Sequence, residues 1–173
     1  MRVNVLRYPT DHDWARAYML ALGTEGKGTD KVPPMRWRER LLRSGHSPAR
    51  TLMWTVELEN VPYWIVMHLV RHKIGIEHYV STQRNDRQSN YDRAAARQDA
   101  PVLYRFDVNA TALIEISHKR LCGKAAAETR AVWQEVCRAI CEVSPEMESV
   151  LVPACVYQGG KCYEFKPCGR CTE

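Results

Sequence analysis

The chain has 173 residues, of which 45% are hydrophobic and 26% are charged, a balance typical of one globular domain with a real core. Its formal net charge of +5 favours anionic partners such as nucleotides, whereas the lack of a continuous basic tract with interleaved aromatics argues against long nucleic acid. Because no segment has the length of a membrane span or the apolar run of a signal peptide, we expect no membrane association and a cytoplasmic location.

Hydrophobic periodicity and turn residues predict three strands and five helices along the chain. A Gly- and Pro-rich loop separates the first two helices, and a polar, turn-rich segment at 85–101 contains at most a helical turn at 92–97. The predicted elements are strand 2–8, helix 11–23, helix 35–45, strand 52–60, helix 61–72, strand 77–84, helix 107–122 and helix 124–143.

The predicted helix at 107–122 has Asp107 as a plausible N-cap. Asn109, Leu113, Ile116 and Arg120 recur at helical spacing, so Arg120 shares a stripe with two apolar residues. A cation there either extends its charged end to solvent at the helix end or pairs with a buried anion. Both alternatives are open at this point.

The most informative stretch is RHKIGIEHYVSTQR, residues 71–84, which follows the apolar helix predicted at 61–72. Three consecutive basic side chains, Arg71-His72-Lys73, suit an anionic ligand such as a phosphate or pyrophosphate held by charge-assisted hydrogen bonds. The alternative is a solvated helix C-terminus, where cations complement the negative end of the helix dipole.

The C-terminal segment is rich in cysteine, and the chain has seven cysteines in all. An odd number of cysteines without a secretory signal favours thiols or metal ligands over a disulfide framework. We expect Cys137 and Cys141, one helical turn apart, to be buried small hydrophobes. The tail spacing C-x6-C-x5-C-x2-C is compatible with a structural zinc ion, with reduced surface thiols or with a redox-labile tail. The candidate zinc ligands are Cys155, Cys162, Cys168 and Cys171.

Arg71-His72-Lys73, with Ser81 after seven further residues, resembles the RHRX7S motif of the flavin-dependent thymidylate synthases, the ThyX family. Further matches occur in the same order over residues 40–135. They are Gly45-His46 before the strand at 52–60, Pro62 before the motif, Arg97 with Pro101, Val108-Asn109-Ala110 with Leu113, and Arg120-Leu121.

The resemblance implies a compact α+β fold, with a mixed or antiparallel sheet and packed helices, and a homotetramer whose active sites are shared between subunits. It also implies an FAD-dependent enzyme that methylates dUMP, with methylenetetrahydrofolate as the carbon donor and NADPH as the reductant. The reduced flavin delivers hydride, and the protein supplies orientation and electrostatics. The domain would comprise residues 1–150, and residues 151–173 would form the cysteine-rich tail.

Residue roles follow from the positions that match the family. Arg71, His72 and Lys73 would line the flavin and the nucleotide, and His46, Ser47 and Asn109 would contact the flavin. Ser81 would hydrogen-bond the dUMP phosphate, Arg97 would help to neutralise it, and His68 would lie beside the pyrimidine. Arg120 would contact the uracil and favour its anionic form, which makes it the catalytic residue. The remaining substrate-binding candidates are Tyr79 and Arg84.

Several positions depart from the family pattern. Lys73 and Thr111 stand where the family has arginines, Arg84 is displaced by one position, and most of a long helical segment after the motif is missing. These departures leave two alternatives. One is flavin-dependent hydroxymethylation of a related pyrimidine nucleotide, and the other is a non-enzymatic, zinc-containing module that binds phosphate or nucleic acid.

Overall fold

The computed structural model of the protein describes residues 1–88 and 91–171. Its centre is an antiparallel sheet with the strand order β1-β2-β4-β3. Within the described residues the sheet contains no parallel pair, so the predicted mixed or antiparallel sheet is antiparallel. The strands are β1 (Arg2–Arg7), β2 (Met53–Pro62), β3 (Ile76–Val80) and β4 (Pro101–Asn109).

Six α-helices and two 3-10 turns accompany the sheet in the described part of the chain, and the whole is the predicted α+β class. None of these helices is both long and apolar enough to cross a membrane. The α-helices are α1 (Asp11–Gly23), α2 (Met35–Ser44), α3 (Tyr63–Leu69), α4 (Ala110–Arg120), α5 (Ala127–Val143) and α6 (Ala154–Tyr157), and the 3-10 turns are Ser47–Thr51 and Pro145–Met147.

The first two helices begin and end where their sequence signals predict. The Thr10 side chain accepts a hydrogen bond from the Asp13 amide while the Asp13 carboxylate accepts one from the Thr10 amide, which forms a capping box at the start of α1. Helix α2 ends at Gly45, whose φ of 66° is left-handed and therefore suits glycine.

Strand β4 is the element that sequence periodicity missed, and the predicted helix at 107–122 began too early. Asp107 is not an N-cap; it lies in β4, where its carboxylate accepts a hydrogen bond from the Thr55 hydroxyl at 2.6 Å. Asn109 instead ends the strand and caps α4. The inward-facing residues of β4 alternate as a strand requires, and all are buried: Val102, Tyr104, Phe106 and Val108.

Helix α3 is also shorter than the predicted helix at 61–72. Val61 belongs to β2, where it pairs with Val102, and Pro62 is the N-cap of α3. The helix ends at Leu69, so Arg71-His72-Lys73 lies in the loop that leads to β3 rather than on a helix. Of the polar segment at 85–101, residues 89 and 90 lie outside the described residues, and the described part up to residue 100 forms turns without a helix.

The core lies between the sheet and helices α4 and α5. Trp133 of α5 lies 6.0 Å from Phe106 of β4 between ring centroids, and its indole N–H donates to Ser117 Oγ at 2.9 Å. The helix predicted at 124–143 packs on the core through apolar residues at helical spacing, since Val132, Trp133, Val136 and Ile140 are all buried.

The two cysteines of α5 lie at this core. Cys137 is buried, as predicted from the sequence. Burial raises the pKa of its thiol to about 12. Cys141 is partly buried, and burial raises its pKa to about 11.

Candidate functional site

The loop between α3 and β3 is held tightly against the start of α4. The backbone N–H of Asn109 donates to the Gly75 carbonyl at 2.9 Å. The side-chain oxygen of Asn109, Oδ1, accepts from the backbone N–H of Ala112 at 2.9 Å and so caps α4. Gly75 has a φ of +74°, and a Cβ at this position would lie 2.5 Å from Asn109 Nδ2. The junction therefore requires glycine for its backbone conformation and for the close approach of the Asn109 side chain.

A cavity of about 580 Å³ opens beside this junction. Three cationic side chains border it, whereas Glu115 is the one carboxylate among the described residues that line it. Because the cations outnumber the carboxylate, the local field favours an anionic ligand. The lining residues are Arg50, Arg71, His72, Lys73, Ile74, Gly75, Asn109, Thr111, Ala112, Glu115 and Ile116.

The N-terminal turn of α4 adds polar groups to the cavity. Thr111 Oγ1 is buried and has no hydrogen-bond partner among the described residues, although a buried hydroxyl is normally paired. Thr111 lines the cavity, so a polar atom of a ligand could satisfy this hydroxyl. The first amides of α4 also present the positive end of the helix dipole at this position.

Arg120, at the far end of α4, reaches the back of the same loop. Its Nε donates to His72 Nε2 at 2.9 Å, and Nη2 donates to the His68 carbonyl. Its partners are thus a carbonyl and an imidazole, which differs from both sequence-based expectations, extension to solvent and pairing with a buried anion. The interaction orients the guanidinium without neutralising its charge.

His72 must be neutral to accept this hydrogen bond. Burial lowers the pKa of His72 to about 4, and the nearby charges of Arg120 and Arg71 act in the same direction. A neutral imidazole with Nε2 as acceptor carries its proton on Nδ1. The positive charge in this part of the site therefore belongs to the arginines.

A second histidine supports the loop from the sheet side. His78 Nε2 lies 2.6 Å from the His72 carbonyl, and His78 Nδ1 lies 2.7 Å from the Tyr104 hydroxyl. Because a carbonyl only accepts, Nε2 is the donor, and in the neutral imidazole Nδ1 is then the acceptor for the Tyr104 hydroxyl. Burial raises the pKa of Tyr104, so its hydroxyl keeps the proton it donates. Sequence reasoning missed this pair, because no sequence pattern placed His78 and Tyr104 together.

Other predicted site residues have structural partners outside the lining of this cavity. The Ser81 amide donates to the Leu103 carbonyl at 2.8 Å and Ser81 Oγ accepts from the Leu103 amide at 3.2 Å, which extends the pairing of β3 with β4. Tyr79 is 56% exposed on β3. His68 Nδ1 lies 2.8 Å from the Thr129 hydroxyl, which connects α3 to α5.

The two remaining predicted arginines each form an exposed ion pair with an aspartate two residues further on. Arg84 pairs with Asp86 and Arg97 pairs with Asp99, in both cases through two guanidinium nitrogens. These carboxylates raise the pKa of each arginine. Neither arginine lines the cavity next to Gly75.

The 3-10 turn Ser47–Thr51 borders two cavities. His46 and Ser47 line a separate cavity of about 500 Å³ with residues of α1 and α2, whereas Arg50 lines the cavity next to Gly75. Sequence reasoning placed His46 and Ser47 at the flavin but overlooked Arg50. Arg50 is only three positions after Ser47, and it lines the cation-rich cavity.

The tail cysteines differ in their surroundings. Cys155 is buried in α6, Cys162 and Cys171 are partly buried, and Cys168 is exposed. As the side chains stand, no three His, Cys, Asp or Glu residues within 1–88 and 91–171 are arranged to hold a metal ion. Leu151 is part of the main core, and α6 packs against α4. The predicted division at residue 150 stays a prediction, and residues 172 and 173 lie outside the described part of the tail.

No protein-family profile matches the sequence, and no curated protein matches it. Comparison of structures, however, finds clear neighbours. The flavin-dependent thymidylate synthase ThyX of Helicobacter pylori, complexed with FAD and dUMP, superposes with a TM-score of 0.68 at 14% identity, over 87% of this chain and 99% of that one. The UMP/dUMP methylase PolB of Streptomyces cacaoi, bound with 5-Br dUMP, superposes with a TM-score of 0.64 at 14% identity, over 87% of this chain and 96% of that one.

These neighbours define the class of structure to which the protein belongs, a single α+β domain with helices packed on an antiparallel sheet. More particularly, the fold is that of ThyX. The resemblance read from Arg71-His72-Lys73 and the matches around it is therefore confirmed at the level of the fold.

Proposed function

We propose that the protein is an FAD-dependent enzyme that methylates a pyrimidine nucleotide of the dUMP class. The observation that carries the proposal is the cation-lined cavity between the Arg71-His72-Lys73 loop and the start of α4, in a chain with the ThyX fold. In the proposed reaction methylenetetrahydrofolate supplies the carbon and NADPH supplies the hydride. The overall change converts dUMP, methylenetetrahydrofolate, NADPH and a proton into dTMP, tetrahydrofolate and NADP⁺.

The residues at the cavity fit a flavin dinucleotide. Arg50, Arg71 and Lys73 would hold the pyrophosphate, because guanidinium and ammonium groups form charge-assisted hydrogen bonds with phosphate oxygens. The buried, unpaired Thr111 hydroxyl offers a further polar contact, and Asn109 borders the same space. When bound, FAD would supply hydride transfer, a chemistry that amino-acid side chains lack.

We assign Arg120 to the pyrimidine. The contacts with His72 and the His68 carbonyl use two of its five N–H groups and set the plane of the guanidinium, so the others can donate to a uracil carbonyl. A fixed positive charge at this position would favour the anionic form of the ring. His72 acts as a positioning residue for this guanidinium while also lining the cavity.

We further propose that the enzyme is a homotetramer with sites shared between subunits. Tyr79, Ser81, Arg84 and Arg97 lie away from the cavity of their own subunit, and the assembly implied by the family resemblance would carry them to the cavity of a neighbour. They would bind the nucleotide phosphate there, with His68 beside the pyrimidine. His46 and Ser47 would reach the flavin from the neighbouring 500 Å³ cavity.

A second candidate is hydroxymethylation at the same site. Lys73 stands where the family prefers arginine, and its ammonium group cannot form the planar, bidentate hydrogen bonds of a guanidinium. This substitution in the cavity lining would alter the one-carbon transfer step or the nucleotide that the site accepts. Hydroxymethylation adds the one-carbon unit and water without reduction, so it would proceed without NADPH.

The test is to incubate the purified protein with FAD, NADPH, methylenetetrahydrofolate and dUMP and to identify the products by mass. A methylated product that requires NADPH supports the proposal, and a hydroxymethylated product formed without NADPH supports the second candidate. A colourless protein that takes up no FAD and leaves dUMP unchanged would overturn both and favour a non-enzymatic module.

Arg120→Ala tests the assignment of the catalytic residue. We expect turnover to be lost while FAD remains bound, because the partner assigned to Arg120 is the pyrimidine and not the flavin. Arg138→Ala is the matched control, since Arg138 is an exposed arginine on α5 that pairs with Glu135 and Glu142. Full activity of the Arg120 variant would contradict its assigned role, and so would loss of FAD absorbance.

A further inference from the structure

Five cysteines from three separate segments gather beside the end of α4. Cys122 follows that helix directly, Cys155 lies in α6, and the others belong to the tail. A small cavity of about 90 Å³ is bordered by four of these cysteine residues: Cys122, Cys155, Cys162 and Cys168. The fifth, Cys171, lies close enough to Cys155 to help raise the pKa of that buried thiol.

Cys122 and Cys168 are neighbours although they are 46 positions apart in sequence. A Cβ built on Gly123 would lie 3.0 Å from Cys168 Sγ and 3.1 Å from Cys168 Cβ. The turn after α4 and the turn at the end of the tail therefore pack directly on each other. The spacing of cysteines in the sequence indicates zinc ligands in the tail alone. The tertiary structure adds Cys122 to this group of cysteines.

The Cys122 sulfur accepts a backbone hydrogen bond. The amide of Lys124, two residues after Cys122, donates to Cys122 Sγ at 3.5 Å. An amide donor stabilises the thiolate, the form of cysteine that binds metals, and it orients the sulfur.

The tail has few other interactions that could hold it in place. Residues 158–171 form turns without a helix or strand, and the side chains of Tyr163 and Phe165 are exposed. The ion pair between Lys119 and Glu164 is largely solvent-exposed, and exposed pairs contribute little to stability. A segment with so little buried apolar surface is ordered most readily by a cross-link or a metal ion.

We propose that Cys122 and Cys168, completed by two of Cys155, Cys162 and Cys171, bind a zinc ion tetrahedrally. The bound form needs new χ1 rotamers for some of these cysteines, since no three side chains converge on an ion as they stand. Zinc binding replaces four thiol protons, which are released to solvent, and involves no oxidation. The ion would tie the tail to the end of α4, two residues beyond Arg120.

This proposal does not depend on the proposed enzymatic function, and it is tested by metal content. The full-length protein, produced with zinc and dialysed, should retain one equivalent of zinc by mass spectrometry. Cys122→Ser and Cys168→Ser should each lose it, whereas Cys141→Ser, a cysteine of α5 outside the cluster, should retain it. Retention of a full equivalent by either of the first two variants overturns the assignment, and iron with inorganic sulfide in place of zinc overturns the choice of metal.

Two measurements on the unsubstituted protein avoid the risk that a variant fails to fold. Cobalt added after removal of zinc should produce thiolate-to-cobalt charge-transfer absorption and the intense visible bands of a tetrahedral site. Zinc should also protect Cys122, Cys168 and two other cluster cysteines from alkylation, as mapped by peptide mass. Absence of the cobalt bands, or equal alkylation of Cys122 with and without zinc, would refute the site.

Discussion

Gly75→Ala should be far more damaging than an ordinary glycine substitution. The left-handed φ of +74° at Gly75 costs a residue with a Cβ about 1–2 kcal/mol. The new methyl would also lie 2.5 Å from Asn109 Nδ2, so Asn109 must move and give up its hydrogen bond to the Ala112 amide. Loss of an N-cap costs about 1 kcal/mol. We therefore expect the free energy of unfolding to fall by about 2–3 kcal/mol in total.

Gly45→Ala is the matched control for this variant. Gly45 has a φ of +66°, but a Cβ there would meet no atom within 4 Å, so it incurs the backbone cost without the clash. In urea denaturation, Gly75→Ala should lose about 1 kcal/mol more in free energy of unfolding than Gly45→Ala. This difference measures the contribution of the contact with Asn109 alone. Equal losses for the two glycines would refute the reasoning.

A double-mutant cycle sharpens this test. If Gly75→Ala already displaces the Asn109 cap, then Asn109→Ala should cost little in the Gly75→Ala background and about 1 kcal/mol in the unsubstituted protein. Additive losses would show that the two residues act independently. Gly75→Ala should also weaken FAD in a titration, because Gly75 and Asn109 both border the cation-lined cavity.

Two further predictions concern the same loop and the proposed assembly. The pKa of His72 is lowered from 6.5 to about 4, so its neutral form contributes stability that is fully present above pH 6.5 and is lost as the pH falls toward 4. In urea titrations the free energy of unfolding of His72→Gln should therefore depend less on pH over that interval than that of the unsubstituted protein. Parallel pH dependence of the two proteins would contradict the lowered pKa. If sites are shared between subunits, Arg71→Ala and Arg97→Ala should each be inactive in dUMP turnover. A mixture of the two variants that is refolded together should regain part of the activity. No recovery in mixed tetramers would place both residues in the site of one subunit.

Elements with strong local signals could be predicted from the sequence. The ends of α1 and α2 follow from Thr10, Asp13 and Gly45, because a cap is a contact between residues close in sequence. Strand β4 could not be predicted in the same way. Its residue Asp107 can cap a helix or occupy a strand, and only the pairing of β4 with β2 and β3 decides between them.

The candidate site shows the same division. The Arg71-His72-Lys73 motif, Asn109 and Arg120 were all identified in sequence, and the structure brings them to one junction. Arg50 was overlooked, because it belongs to a short 3-10 turn with no periodic pattern. The neutral state of His72 was equally hidden, since it results from burial and from charges that meet only in the folded chain.

The chemical groups of this protein could be identified in the sequence: three consecutive basic residues at 71–73, an arginine on an apolar stripe and a set of thiols. These are properties of residue type and short-range spacing. The tertiary structure alone decided which of these groups meet. It placed Arg120 against His72, 48 residues away in sequence, and Cys122 against Cys168, because such contacts depend on how the strands pair and how the helices pack on the sheet.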